Sequence, residues 1–245
     1  MNLKPALISS LPGLFILFAA SAAVAQDNRN LIKWNVAALA LKNFSFQYER
    51  AITGRISVAG GFRFAPKSKL PFSTALENAV DDDETWESIK DFKTGNFAIS
   101  PEVRFYLGKS VFQGFYIAPF IRYAEYSANV PYHFEVYGTT QTIPLNGNLS
   151  TFTGGVLVGA QWKVAKQLHV DWWILGPNYG GNSGSLIGRR PLNEQEQAVL
   201  RESLPDLEDL PLVKTKYTVD ENGVRVDING PWAGLRAGLS IGYSF

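Results

Sequence analysis

From Leu31 onward the chain alternates apolar and polar residues with a period of two in eight separate segments, and this constrains its fold more than any other feature. Such a period sends successive side chains to opposite faces of an extended strand, so each segment reads as a strand between two different environments. The first, Leu31 to Leu41, sets Trp34, Val36 and Ala38 against Lys33 and Asn35. Phe44 to Ile52 sets Phe44, Phe46, Tyr48 and Ile52 against Ser45, Gln47 and Glu49. The third sets Ile56, Val58, Phe62 and Phe64 against Ser57, Ala59 and Arg63. Phe97 to Leu107 opposes Ile99, Val103 and Phe105 to Ser100, Glu102 and Arg104. A fifth begins at Phe115, with Ile117, Ile121 and Tyr123 opposite Tyr116 and Arg122. The sixth opposes Val156, Val158, Ala160 and Trp162 to Gln161 and Lys163, and the seventh opposes Leu168, Val170, Trp172 and Ile174 to His169 and Asp171. Leu235 to Phe245 completes the set, with Arg236, Ser240 and Ser244 on its polar face.

Alternation alone fits a membrane barrel, a soluble sandwich or a lipocalin-like carrier. The connections discriminate. Thr53 to Arg55, Gly108 to Gly114 and Val164 to Gln167 are short, whereas Ala65 to Asn96, Ser127 to Leu149 and Gly176 to Gly230 are long, and Lys42-Asn43 is the one short link of that second set. One end therefore carries turns and both termini, the other carries loops, as in transmembrane barrels. Aromatic residues sort by height in the same frame. Trp34, Tyr48, Phe105, Phe115, Trp162, Tyr243 and Phe245 lie on the apolar face near the short turns, and Phe44, Phe64, Phe97 and Tyr123 near the loops. Two such belts suit two membrane–water interfaces.

Residues 1–25 differ from the rest. Lys4 precedes a mostly apolar stretch from Ala6 to Ala20, and Ala23-Val24-Ala25 offers small residues at a cleavage site, so 1–25 reads as a signal peptide and 26–245 as the barrel. The stretch is interrupted by Ser9-Ser10 and Pro12-Gly13 and is short for a spanning helix. No other segment could span as a helix, so a membrane-embedded chain must cross as a closed sheet. Cysteine is absent, which removes disulfides, thiolate metal sites and Cys nucleophiles together. The 23 Lys and Arg residues nearly balance 22 Asp and Glu, giving no basic excess for nucleic acid.

The ending Leu239-Ser240-Ile241-Gly242-Tyr243-Ser244-Phe245 resembles the terminal signal of outer-membrane barrels, with Leu239, Ile241, Tyr243 and the final Phe245 on one face. Tyr48-Glu49-Arg50-Ala51, Tyr116 to Tyr123 (YIAPFIRY) and Asp171 to Pro177 (DWWILGP) resemble an uncharacterised family of small outer-membrane β-barrel proteins from Gram-negative bacteria. The resemblance implies export to the outer membrane, contact with its lipid, and delivery to the barrel assembly machinery through the last strand. It implies no activity and no cofactor.

Eight strands close around an interior that side chains can fill. The inward face carries Glu49, Arg63, Glu102, Arg104, Arg122, Lys163, Asp171 and Arg236, and charges so confined must be paired. Glu49, Arg104, Lys163 and Asp171 form a layer nearer the short turns, with Lys163 and Asp171 placed to bridge; Arg63, Glu102, Arg122 and Arg236 lie higher. This reads as a plug of ion pairs, with a narrow anion-preferring pore as the competing reading. An outer-leaflet lipid enzyme would need a Ser, His and carboxylate together. His169 lies two residues from Asp171 but has no local serine, and His133 reads as a loop residue. Glu77 and Asp81-Asp82-Asp83-Glu84 lack the alternating ligands of a calcium loop.

In the last loop, Asn193 and Glu196 form a capping box for a short helix from Glu194 to Ser203, stopped by Pro205. Lys214 to Val219 and Val224 to Ile228 read as a hairpin around Glu221-Asn222-Gly223. If that hairpin and Tyr132 to Val136 joined the wall, the strand count would rise to ten or more. The expected fold is all-β, a closed antiparallel transmembrane barrel of about eight strands with long extracellular loops and a short loop helix. The expected role is structural or surface-interacting, without catalysis and with no identifiable extracellular ligand.

Overall fold

The computed structural model describes residues 28–79, 86, 90–204 and 214–245. The expected signal segment, the acidic run at 81–84 and Pro205 lie outside them. Nine strands account for most of the rest: β1 (Asn30–Asn35), β2 (Phe44–Ala51), β3 (Ile56–Lys69), β4 (Lys93–Tyr106), β5 (Gly114–Val136), β6 (Thr139–Lys163), β7 (Leu168–Arg189), β8 (Lys214–Asp220) and β9 (Gly223–Ser244). Helix α1 spans Ser73–Ala79 and α2 spans Glu194–Ser203. All pairings are antiparallel in the order β1-β2-β3-β4-β5-β6-β7-β9-β8, and β1 also pairs with β9, from Leu31 opposite Ser244 to Asn35 opposite Ser240. The sheet thus closes in a ring. β8 pairs with β9 alone, along Gly223 to Asn229, so it stands beyond the closure.

The ring is inverted relative to a water-soluble fold. Ile32, Trp34, Phe46, Phe62, Phe105 and Ile241 point outward and are 41 to 51% exposed, whereas inward-facing Lys33, Glu49, Arg104 and Asp171 are at most 1% exposed. The alternation read from the sequence therefore sets the two faces strand by strand.

Three details differ from the sequence reading. β1 ends at Asn35, and Ala37–Leu41 forms a 3-10 helix instead of continuing the strand. Its Ala-Leu composition favours a helical turn over a pleat, and Asn35 Oδ1 accepts the Ala38 amide at 3.1 Å, which nucleates that turn. The connection expected from Ser127 to Leu149 is almost entirely strand: β5 and β6 run 23 and 25 residues and meet at the two-residue turn Tyr137-Gly138. Both turn residues have positive φ, 51° and 72°, as a type I′ hairpin requires. Pro131 and Pro144, which look like breakers, face each other in this ladder. Counting from the turn, they occupy a non-hydrogen-bonded pair, where a missing N–H removes no cross-strand bond. Finally, β7 carries a bulge between Trp173 and Gly176, so Ile174 is half-buried and Leu175 takes the outward position.

Beyond the ring, at the long-loop end, a second core forms. Leu192, Leu200 and Leu204 around α2 pack on Phe134, Ile143 and Leu145 of the β5–β6 hairpin and on Val219, Val224 and Val226 of β8 and β9. α2 has the expected capping box: Asn193 Oδ1 accepts from the Glu196 amide and Glu196 Oε2 from the Asn193 amide, each at 2.9 Å.

Candidate functional site: the charged interior

Inward positions on β1, β2, β4, β6 and β7 converge on Arg104, which is fully buried. Its Nε donates to Glu102 Oε1 at 2.6 Å, Nη1 to Asp171 Oδ2 at 2.7 Å and Nη2 to Gln47 Oε1 at 2.8 Å. Glu49 Oε2 lies 3.3 Å from Nη1, and the Tyr116 ring lies under the guanidinium at 4.3 Å. Lys33 Nζ bridges the same two acids, donating to Glu49 and to Asp171 Oδ2, the latter at 2.7 Å. Neutral donors fill the remaining lone pairs: Tyr106 and Ser57 donate to Glu49, and Tyr116 and Trp173 donate to Asp171. Buried ions with this many partners are held in one arrangement. Gly159 permits it, because a Cβ there would sit 2.3 Å from the Tyr116 hydroxyl.

Above this layer, Arg236 donates from Nη1 to Glu102 Oε2 at 2.9 Å and stacks on Phe120 and Trp173 at 4.3 and 4.8 Å. Arg63 and Arg122 share the height of Arg236 but have no ion-pair partner among the described residues. Both line a cavity of about 440 Å³ with Arg236, Asn43, Ser45 and Ser100. Tyr126 and Trp232 meet across the ring at 5.4 Å between centroids, and Tyr126 also neighbours Arg63 and Arg122.

Seven of the eight charged residues singled out from the sequence thus lie in the interior or line its cavity. Lys163 does not. It is exposed at the last position of β6 and makes no ion pair among the described residues; the bridge to Asp171 comes from Lys33. At a strand end, one residue from an open turn, a lysine side chain reaches solvent more easily than a packed layer. Lys33 already stood on the polar face of its segment, so its signal was present; Tyr106, which extends the β4 alternation inward, was missed. Phe112 was also missed. It folds up from the turn between β4 and β5 with φ 64°, is 5% exposed, and meets Tyr106 and His169 edge-on at 6.5 and 6.0 Å, narrowing the short-turn end.

His169 Nε2 lies 3.2 Å from Ser244 Oγ, a partner 75 residues away. The Asp171 carboxylate is taken up by Lys33, Arg104, Tyr116 and Trp173, so it does not orient this imidazole. His133 sits on β5, not in a loop; it is exposed, with Nδ1 2.8 Å from Thr142 Oγ1. Glu77 is exposed on α1. Leu239, Ile241, Tyr243 and Phe245 all face outward, 42 to 51% exposed.

The profile of a family described as "Protein of unknown function (DUF3575)" matches residues 13–179, from ahead of β1 into β7. No curated protein and no solved structure gives a significant match.

Proposed function

The chain belongs to this DUF3575 family, and on that premise we propose that it is an outer-membrane β-barrel of structural or surface-interaction type, exported through residues 1–25. The observation that carries the reading is the inverted ring. A continuous belt of outward Ile, Phe, Trp and Tyr far exceeds the apolar patches of soluble monomers, and hydrocarbon is the solvent that such a belt matches. A closed sheet also satisfies the requirement that every backbone group in a bilayer be paired within the protein. The buried network around Arg104 acts as a structural plug, and the second core at the long-loop end forms a rigid platform facing outward. Outer-membrane lipid surrounds the belt, and the assembly machinery receives the β9 segment ending in Phe245.

The reading predicts that the chain lacking residues 1–25, refolded in detergent, migrates faster on a gel unheated than boiled and partitions into liposomes. A folded monomer in plain buffer would overturn it. The outer-leaflet lipid-enzyme alternative gains nothing from the His169–Ser244 pair, which lies at the short-turn end, and it predicts a lipid profile that changes when the protein is present.

A further inference from the structure

Resting on the membrane reading above, we propose that the Arg63–Arg122–Arg236 cavity binds the anionic head of an amphiphile that enters sideways through a seam in the barrel wall. Charge balance gives the first argument. Lys33, Arg104 and Arg236 are matched by Glu49, Glu102 and Asp171 in a closed set of ion pairs. Arg63 and Arg122 are left over from the ion pairs, with the Tyr126 hydroxyl as their neutral polar neighbour. Arg122 is 8% exposed, and Arg122 Nη2, Arg63 Nε and Arg236 Nε are buried without a hydrogen-bond partner. Unpaired guanidinium donors sequestered from water are strongly unfavourable, and an oxyanion is the group their planar forks fit.

The wall gives the second. β1 pairs with β9 along Ser240 to Ser244, with further bonds between Asn30 and Phe245 at the short-turn end and from the Val36 amide to the Leu239 carbonyl at the other, and β8 pairs only along Gly223 to Asn229. Among the described residues, 230–238 of β9 therefore have no neighbouring strand on that side, and the 3-10 helix Ala37–Leu41 stands in the breach. The arginine cavity opens toward it: besides inward groups it is lined by Ala37, Ala38 and Leu41 of the 3-10 helix and by Leu235, Ala237 and Gly238 of that stretch of β9. On the outer surface an apolar groove, sharing Ala37, Ala237 and Gly238 with the cavity, continues past Trp172 and Leu239. Toward the loops the Tyr126–Trp232 pair narrows the axial route, and below lies the Arg104 network. The accessible direction is lateral, from the half of the apolar belt nearer the long loops. A phosphate or carboxylate head would sit among the guanidinia while its acyl chain lies along the groove.

The test uses the full mature chain in neutral detergent, with tryptophan fluorescence reporting on Trp173 and Trp232. Probes are dodecyl phosphate, inorganic phosphate and dodecanol. The expected result is saturable binding of dodecyl phosphate, tighter than inorganic phosphate and absent with dodecanol. Arg63→Gln with Arg122→Gln should weaken it by about tenfold or more. Ala237→Trp, which obstructs the seam and leaves every arginine in place, should weaken the amphiphile selectively. Equal affinity for both phosphates, indifferent to Ala237→Trp, would overturn the amphiphile; no binding of either would overturn the site. Heat-modifiable migration, measured on each variant, separates these outcomes from failure of the membrane reading, and Arg122→Lys offers a charge-retaining variant should the double change not fold.

Discussion

At the residue scale the decisive group is Asp171, which accepts hydrogen bonds from Lys33, Arg104, Tyr116 and Trp173. Asp171→Asn leaves two buried cations short of a counter-charge, a loss of about 3–5 kcal/mol for a broken buried pair. It should appear as a lower urea midpoint in detergent micelles. Lys163→Ala, by contrast, should stay within about 0.5 kcal/mol of the parent, as an exposed, unpaired side chain does. Equal losses would contradict the placement of both residues. That the acids and bases face inward was legible in the alternation, because parity alone decides it. Which cation meets which acid was not. Lys33 and Asp171 are 138 residues apart and meet only when the ring closes in its observed register. Phe112 was equally unreadable, since a turn residue that points back into the interior has no periodicity to announce it.

Among the elements, strand positions followed the pattern while strand lengths did not. Polar alternation weakens beyond Tyr126 and Phe152, and the two prolines of the β5–β6 hairpin imitate breakers, although their paired positions remove no ladder bond. Ala37–Leu41 shows the opposite error: a run that lacks a polar face was counted as strand. Helix α2 was legible because its capping box is local, but its seat was not, since Phe134, Ile143 and Val226 come from three distant strands. Leu200 is fully buried in that core. Leu200→Ala should remove about 2–5 kcal/mol of local stability. Limited proteolysis should then cut near α2 at protease levels that spare the parent, while heat-modifiable migration of the ring is unchanged. Loss of that migration as well would show that the two cores unfold as one unit.

For the whole molecule, a ring of this size has an interior that side chains can close, and here they close it below the arginine cavity. Arg104 with its partners spans the interior at one height, and Phe112 narrows the short-turn end beneath it. Planar-bilayer recording on the purified protein should therefore register no conductance steps above background; regular steps would mean that the network opens. The closure itself has a further consequence. The Asn30 amide donates to the Phe245 carbonyl at 3.1 Å and the Phe245 amide to the Asn30 carbonyl at 2.9 Å, so the cylinder is fastened by residues 215 positions apart. Until that clasp is made, the nascent sheet has two naked margins and a greasy exterior, the combination most prone to intermolecular pairing. A polypeptide cut short before Leu239 would keep nearly all its hairpins and still lack the one contact that turns a ribbon into a vessel.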